Sequence, residues 1–342
     1  MSVTIKTIKQ KILDQAMRGE LVEQDPNDEP VELLLERIEK EKNKLIEDNK
    51  IRKQKPLSTI NEEDIPYEIP KEWRWSRLGS LILSLRGGGT PSKSNPDYWD
   101  GDIPWCSVKD MDEGIFLTST QDKITPLGIK ESSTFVVPKN NLIVATRMGL
   151  GKVKITHFET AINQDLKAIF TPESIDNKYL YYSLKQLEFE GKGSTVKGIT
   201  QDELLNSHIP LPPNQEQKRI VEKIESLFSL CDKWEEEVTK QQNHLSVLRD
   251  KVLEDAMRGL LVEQDENDEP AEKLLEKVEE EREQLIKEKK IKKQKVLPPI
   301  EEDEVPYELP KGWKWVKLEN ISTKIHYGYT ASSTEQDTGV RM

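Results

Sequence analysis

The stretch AMRGELVEQDPNDEP, from Ala16 to Pro30, returns as AMRGLLVEQDENDEP, from Ala256 to Pro270. The match begins near Lys11 and Lys251 and runs without a gap through IRKQK and IKKQK to IPYEIPKEWRWSRL and VPYELPKGWKWVKL. More than half of the paired positions are identical, and most of the rest are Lys/Arg, Asp/Glu or Ile/Val exchanges. A solenoid unit spans roughly 20 to 50 residues. This period is far longer, so a whole domain must lie inside it. The chain ends at Met342, soon after the second copy closes, which leaves one repeat and the opening of another.

The strongest helix signal lies between the copies, at LPPNQEQKRIVEKIESLF. Two prolines stop the preceding chain, Asn214 is predicted as the cap, and Gln217 three residues later as its capping-box partner. From there Ile220, Ile224, Leu227, Cys231, Trp234, Val238, Gln241, Leu245, Leu248, Val252 and Asp255 alternate at spacings of four and three. All but Gln241 and Asp255 are apolar, which is the seam of a coiled coil rather than the broader stripe of a globular helix. With Gly259 as its stop the helix is a rod of about 65 Å. Ile5, Ile8 and Ile12 align with Leu245, Leu248 and Val252, so the first copy opens with the last third of that rod. The upstream part is expected from a segment beyond Met342. Pro30 and Pro270 are predicted to open, at the first helical position, a second and highly charged helix that returns along the first. Its charges read as a solvated face, and IRKQK and IKKQK fit a phosphate or a protein partner equally well.

The segment from Trp73 to Pro213 differs in texture, being rich in Gly, Ser, Thr and β-branched residues. TFVVP, NLIVATRM, VKITHF and LKAIF are predicted strands, and DNKYLYYSLKQLEF a helix. Function in such a domain belongs on its loops, RGGGTPSKS, TRMGLGK and GKGSTVKGIT. Charge is unevenly spread: the chain carries −12 overall, yet this segment balances 16 Lys/Arg against 16 Asp/Glu. A DNA-binding face is therefore permitted here and demanded by nothing in the charge alone. At 33% charged and 35% hydrophobic the chain is too polar for one large core. It has no run of eighteen apolar residues and no signal-peptide core, so a cytoplasmic protein without membrane contact is expected. Cys106 and Cys231 stand far apart in unlike surroundings, and His157, His208, His244 and His326 are scattered, so neither a disulfide framework nor a metal site is expected.

SNPDYWD, Ser94 to Asp100, approaches the Asn-Pro-Pro-Tyr signature of amino-methyltransferases, but Asp97 replaces the second proline and no cofactor loop accompanies it. GGGTPSKS and MGLGKVK lack the spacing of a phosphate loop and read as tight turns, whose amides are still expected near DNA phosphates. No nucleophile, base and acid stand out as a set, so the chain is not read as an enzyme. For reading bases, Arg and Lys suit guanine while Asn and Gln suit adenine. The loop-borne candidates are Arg86, Lys93, Lys109, Arg147, Lys152, Gln164, Lys192 and Lys197. Each alone is more simply a surface residue, and Asn163 with Gln164 could equally hold a neighbouring loop. Their concentration in one neutral segment favours the functional reading.

A segment ending in IPLPPNQEQKRIVEKIESLF and continuing as a long helix resembles the specificity subunit of type I restriction-modification systems, as do GGGTPSKSNPDYWDGDIPWCSVKDM and GITQDELLNSHIPLPP. That resemblance implies an α+β chain, internally repeated, in which a mixed α/β target recognition domain is flanked by long antiparallel coiled-coil helices. Residues 1–72 would be the N-terminal helical repeat, 73–213 the first recognition domain, 214–312 the central helical region, and 313–342 a second recognition domain cut short. It further implies a non-catalytic subunit that binds double-stranded DNA and docks methyltransferase subunits, two of them, and restriction/translocase subunits. S-adenosylmethionine, ATP and Mg would then reside on those partners, with defence against foreign DNA as the outcome. The exposed seam also suggests self-association through Ile220, Ile224, Leu227, Trp234, Val238, Leu245, Leu248 and Val252. The rival readings are a helical scaffold or adaptor without DNA specificity, a truncated remnant, and an enzyme acting alone.

Overall fold

The computed structural model describes residues 4–187, 189, 198–293, 297–323 and 325. The chain forms two compact units, Met1–Glu236 and Glu237–Met342. In chain order the first unit begins with α1 (Ile5–Met17) and α2 (Val31–Glu47), then β1 (Arg74–Arg77), α3 (Leu78–Leu81), β2 (Ser84–Gly87) and β3 (Trp99–Cys106). There follow β4 (Phe116–Leu117), β5 (Asp122–Ile124), α4 (Pro126–Lys130), β6 (Val136–Val137), β7 (Leu142–Ala145), β8 (Val153–Thr156), β9 (Thr160–Ile162) and β10 (Leu166–Phe170). The remaining elements are α5 (Asn177–Lys185), α6 (Gln201–Leu205), β11 (His208–Leu211), the long α7 (Asn214–Met257) and, in the second unit, α8 (Ala271–Lys287).

The α/β segment holds a five-stranded sheet in the order β2-β10-β7-β8-β4 and a four-stranded sheet in the order β5-β3-β9-β6. All residues of β7 and β8 are buried. β7 accordingly reads as a continuous apolar run, whereas β8, Val-Lys-Ile-Thr, alternates and still buries Lys154 and Thr156. β1 and β11 pair antiparallel, with Arg74 opposite Leu211 and Arg77 opposite His208, so the two ends of the segment are joined. Tyr179 reinforces the closure by donating its buried hydroxyl to the Pro210 carbonyl at 2.6 Å. The predicted strands and α5 are therefore present, together with strands that the sequence did not announce.

α7 begins at Asn214, which is helical rather than a cap, and the expected capping box is absent. Asn214 instead donates Nδ2 to the Ser174 carbonyl. The buried Gln217 accepts from the Asp176 amide at 3.0 Å and donates to the Pro212 carbonyl at 3.1 Å. A neutral amide carries both a donor and an acceptor, so at a buried helix start it satisfies two backbone groups that a cap would leave unpaired. Pro30 and Pro270 also stand one position earlier than expected, at the caps of α2 and α8.

Within the first unit α1 runs antiparallel to the start of α7. Lys9 pairs with Asp232 and lies over the Phe228 ring, while further along Gln24 and Asp28 reach back to Glu216 and Arg219. Ile12, Leu13, Ala16 and Met17 thereby share one core with Ile220, Val221, Ile224 and Cys231. Of the heptad seam, Ile220 and Ile224 are buried and Leu227 packs at the edge, but Trp234 is exposed. In the second unit Val238, Leu245, Leu248 and Val252 are exposed as well. α1 has 13 residues, and Lys9 near its start meets Asp232.

Both copies of the repeat adopt one local fold. Gly19 and Gly259 take φ of +74° and +70° at the helix ends, where only glycine is free of strain, and each is covered by a proline and a tryptophan: Pro70 and Trp73, Pro310 and Trp313. Trp75 donates to the Tyr67 carbonyl at 3.3 Å, and Trp315 to that of Tyr307 at 3.3 Å. Burial separates the copies: Met17 is 2% exposed against 61% for Met257, and Trp73 1% against 43% for Trp313. Burying such a side chain contributes about 1.5–3 kcal/mol, so the first copy is fixed by packing that the second lacks among the described residues.

Candidate nucleic-acid interface

Lys109, Arg147, Lys152 and Gln164, four of the candidate reading residues, sit on turns that touch one another. After β2 the chain continues as Gly88–Gly89–Thr90, pressed against the β9–β10 turn. The amide of Gly88 donates to Leu166 at 3.3 Å and that of Gly89 to Ile162 at 2.9 Å, while Trp105 Nε1 donates to the Gly89 carbonyl at 3.1 Å. A Cβ on Gly88 would collide with the backbone oxygens of Ile162 and Asn163. Close backbone approach therefore explains these glycines, and the expectation that their amides approach a phosphate fails because both already have partners.

The β9–β10 turn is Asn163–Gln164–Asp165. Asn163 is buried, donating its amide to Cys106 at 2.9 Å and accepting from the Asp165 amide at 3.1 Å through Oδ1. Asn163 thus holds the turn, whereas Gln164 is exposed and accepts from the Thr90 hydroxyl. The β7–β8 turn, Thr146 to Lys152, leans on the same element. Thr146 donates its amide to the Asp165 carbonyl at 2.9 Å, and the Arg147 guanidinium stands 3.8 Å from the Asp165 carboxylate. On its other side a Cβ on Gly149 would lie 2.8 Å from Val108, so this turn also rests on the Val108–Asp110 turn that carries Lys109. That turn is closed by Asp110, which accepts from Ser107 at 2.8 Å and from the Gln121 amide at 2.8 Å.

Lys109, Arg147, Lys152 and Gln164 thus project from one connected group of turns, and Arg86 from β2, the strand that leads into Gly88–Gly89; all five are exposed. Arg86 is oriented by Phe135, its guanidinium 3.8 Å above the ring centre. Lys93 is exposed on the loop after Thr90, without a contact that ties it to the group. Lys93, Lys109 and Lys152 make no ion pair among the described residues. Lys192 and Lys197 lie outside the described residues. In SNPDYWD, Asn95 caps a short 3-10 turn over Pro96–Tyr98, accepting from the Asp97 amide at 3.1 Å, so it serves the backbone.

Sequence reasoning missed Lys154. It lies in β8 with a buried side chain, its ammonium held by the Asp112 carboxylate and by the Glu113 carbonyl at 2.8 Å. The Lys154 hydrogen bond holds the Asp112 carboxyl below the usual carboxylate range. A lysine flanked by β-branched residues looks like the solvent side of a strand, and only its partner 42 positions away shows otherwise.

Four cationic side chains and one amide side chain are thus presented together from the β framework of the first unit. The chain belongs to the family of the type I restriction modification DNA specificity domain, whose model matches residues 70–242. It is similar to the type I restriction enzyme EcoEI specificity subunit of Escherichia coli, with 31% identity over 97% of this chain and 64% of that one. The EcoAI specificity subunit of Escherichia coli is 32% identical over 96% of this chain and 64% of its own length. The chain therefore spans just under two thirds of the length of these relatives. The solved HsdS subunit from Thermoanaerobacter tengcongensis covers 68% of this chain and 57% of its own at 22% identity, with a TM-score of 0.44.

Proposed function

We propose that this chain is a non-catalytic, sequence-specific subunit of a type I restriction-modification complex, binding double-stranded DNA and directing adenine methylation and ATP-dependent cleavage by partner chains. The observation that carries the reading is the connected group of turns bearing Lys109, Arg147, Lys152 and Gln164, with Arg86 on the adjoining strand β2, which falls inside the segment matched by the DNA specificity model. Arginine and lysine at such turns neutralise phosphates and fix the register of the duplex, while a few side chains reach base edges. Lys93, Lys192 and Lys197 extend the candidate set.

Methyltransferase subunits, two in number, and restriction/translocase subunits are the proposed partners, bringing S-adenosylmethionine, ATP and Mg with them, and the cytoplasm is the proposed setting. Among the described residues no helix is long and apolar enough to cross a membrane. The exposed apolar residues of α7, Trp234, Val238, Leu245, Leu248 and Val252, supply a surface for assembly or for a second copy of the chain.

The test is duplex affinity of the chain with its methyltransferase partner, measured by anisotropy across a salt series. Arg147→Ala should weaken binding and reduce the slope of log affinity against log salt by about one, as loss of one phosphate contact requires. An unchanged affinity and slope for Arg147→Ala and Lys152→Ala together would remove this turn from the interface.

A further inference from the structure

The β7–β8 turn carries a residue that its scaffold does not need. Met148 stands at φ +46°, in the left-handed region that non-glycine residues rarely adopt, and is followed by Gly149 at +104° and Gly151 at +80°. Its side chain is 59% exposed. The backbone around it is closed inward: Gly151 donates to Ala145 at 3.3 Å, Lys152 to Gly149 at 3.1 Å, and Ile199 to Thr146 at 2.9 Å. Gly149 rests on Val108, and Arg147 is steadied by Asp165. The turn is thus held by its own bonds, and its outward side chains are a flexible apolar thioether and, on either side of it in the chain, the cations Arg147 and Lys152.

An outlier of this kind at a protruding tip points to use rather than packing. Resting on the DNA-reading function proposed above, we infer that Met148 is a base-reading residue, making apolar contact with the C5 methyl group of a thymine in the major groove while Arg147 and Lys152 hold the flanking phosphates. Thymine is the one base that offers a methyl group there, and an unbranched thioether adapts its shape to it. Arg147 and Lys152, with their charged ends on phosphates, are placed for the DNA backbone, so Met148 adds a base preference that those contacts lack.

The experiment has two stages. Methyladenine is first mapped in cells that co-express the chain with its methyltransferase partner, which yields the recognised motif. Duplexes carrying that motif are then prepared with deoxyuridine in place of each thymine in turn, and binding by the complex is compared for the unaltered chain and Met148→Ala. Deoxyuridine at one position should weaken the unaltered complex by about fourfold, the scale of one buried methyl, and leave Met148→Ala unaffected there. Met148→Leu, which keeps an apolar tip, should retain the sensitivity. A loss of the same size in both complexes, or no sensitivity at any thymine, overturns the inference while leaving DNA recognition intact. Absence of any motif overturns the DNA reading itself and the inference with it.

Discussion

Glu216 enters the first turn of α7 with its carboxylate buried between Gln24 Nε2 at 2.7 Å and Trp73 Nε1 at 3.0 Å. Burial raises its pKa above the ordinary 4.5, against the lowering effect of those two hydrogen bonds. The protonated form is thus favoured in the folded chain. Its stabilising effect is full below 4.5 and fades as pH rises through the raised folded value. Glu216→Gln removes this titration. The stability of the unaltered chain relative to the variant should therefore grow as pH falls from neutral towards 4.5, measured as paired urea midpoints. A pH-independent difference would place the carboxylate in water. Neither Glu216, Gln217 nor Lys154 was legible as a buried polar group, because the partner that holds each lies far along the chain. Arg147, Lys152 and Gln164 were legible as candidates because turn composition marks the loops, whereas Met148 carried no signal apart from its neighbouring glycines. The contacts that join these turns are between distant segments, and no local pattern encodes them.

The rod was readable as an element because a heptad pattern is local, and α7 ends at Met257, two residues before Gly259. What the pattern could not convey is how far the seam is covered. Ile224→Asp places a charge in the core shared with α1 and should cost at least about 3 kcal/mol. Val252→Asp alters an exposed side chain and should stay within about 0.5 kcal/mol. Urea unfolding of both variants checks this pair, and a large loss for Val252→Asp would show that the distal seam is covered in solution. Gly88→Ala should be as damaging as Ile224→Asp, because backbone oxygens of Ile162 and Asn163 occupy the space a Cβ needs. The sheets were only partly legible. β7 is an apolar run and β10 nearly one, β8 alternates, and β1, β2 and β3 mix polar residues, glycine and proline and are fixed by pairing with remote strands.

At the scale of the whole molecule, the duplication is plain in sequence and in local fold, and the copies differ in what covers them. The first is built into the unit that carries the reading turns, through Gln24, Trp73 and Glu216. In the second, Trp313 Nε1 bonds at 3.0 Å to Gln264, the counterpart of Gln24, and no carboxylate stands between them. The connected turns of residues 73–213 are proposed to select a DNA sequence for a partner methyltransferase. The most direct test of that role is to co-express the chain with the methyltransferase subunit from its own locus in a host free of adenine methylation and to sequence the genome for methyladenine. One defined motif is expected, lost or relaxed when Arg147 and Gln164 are both replaced by alanine. Methylation without a shared motif, or none at all while the two proteins purify as a soluble complex, would contradict that role.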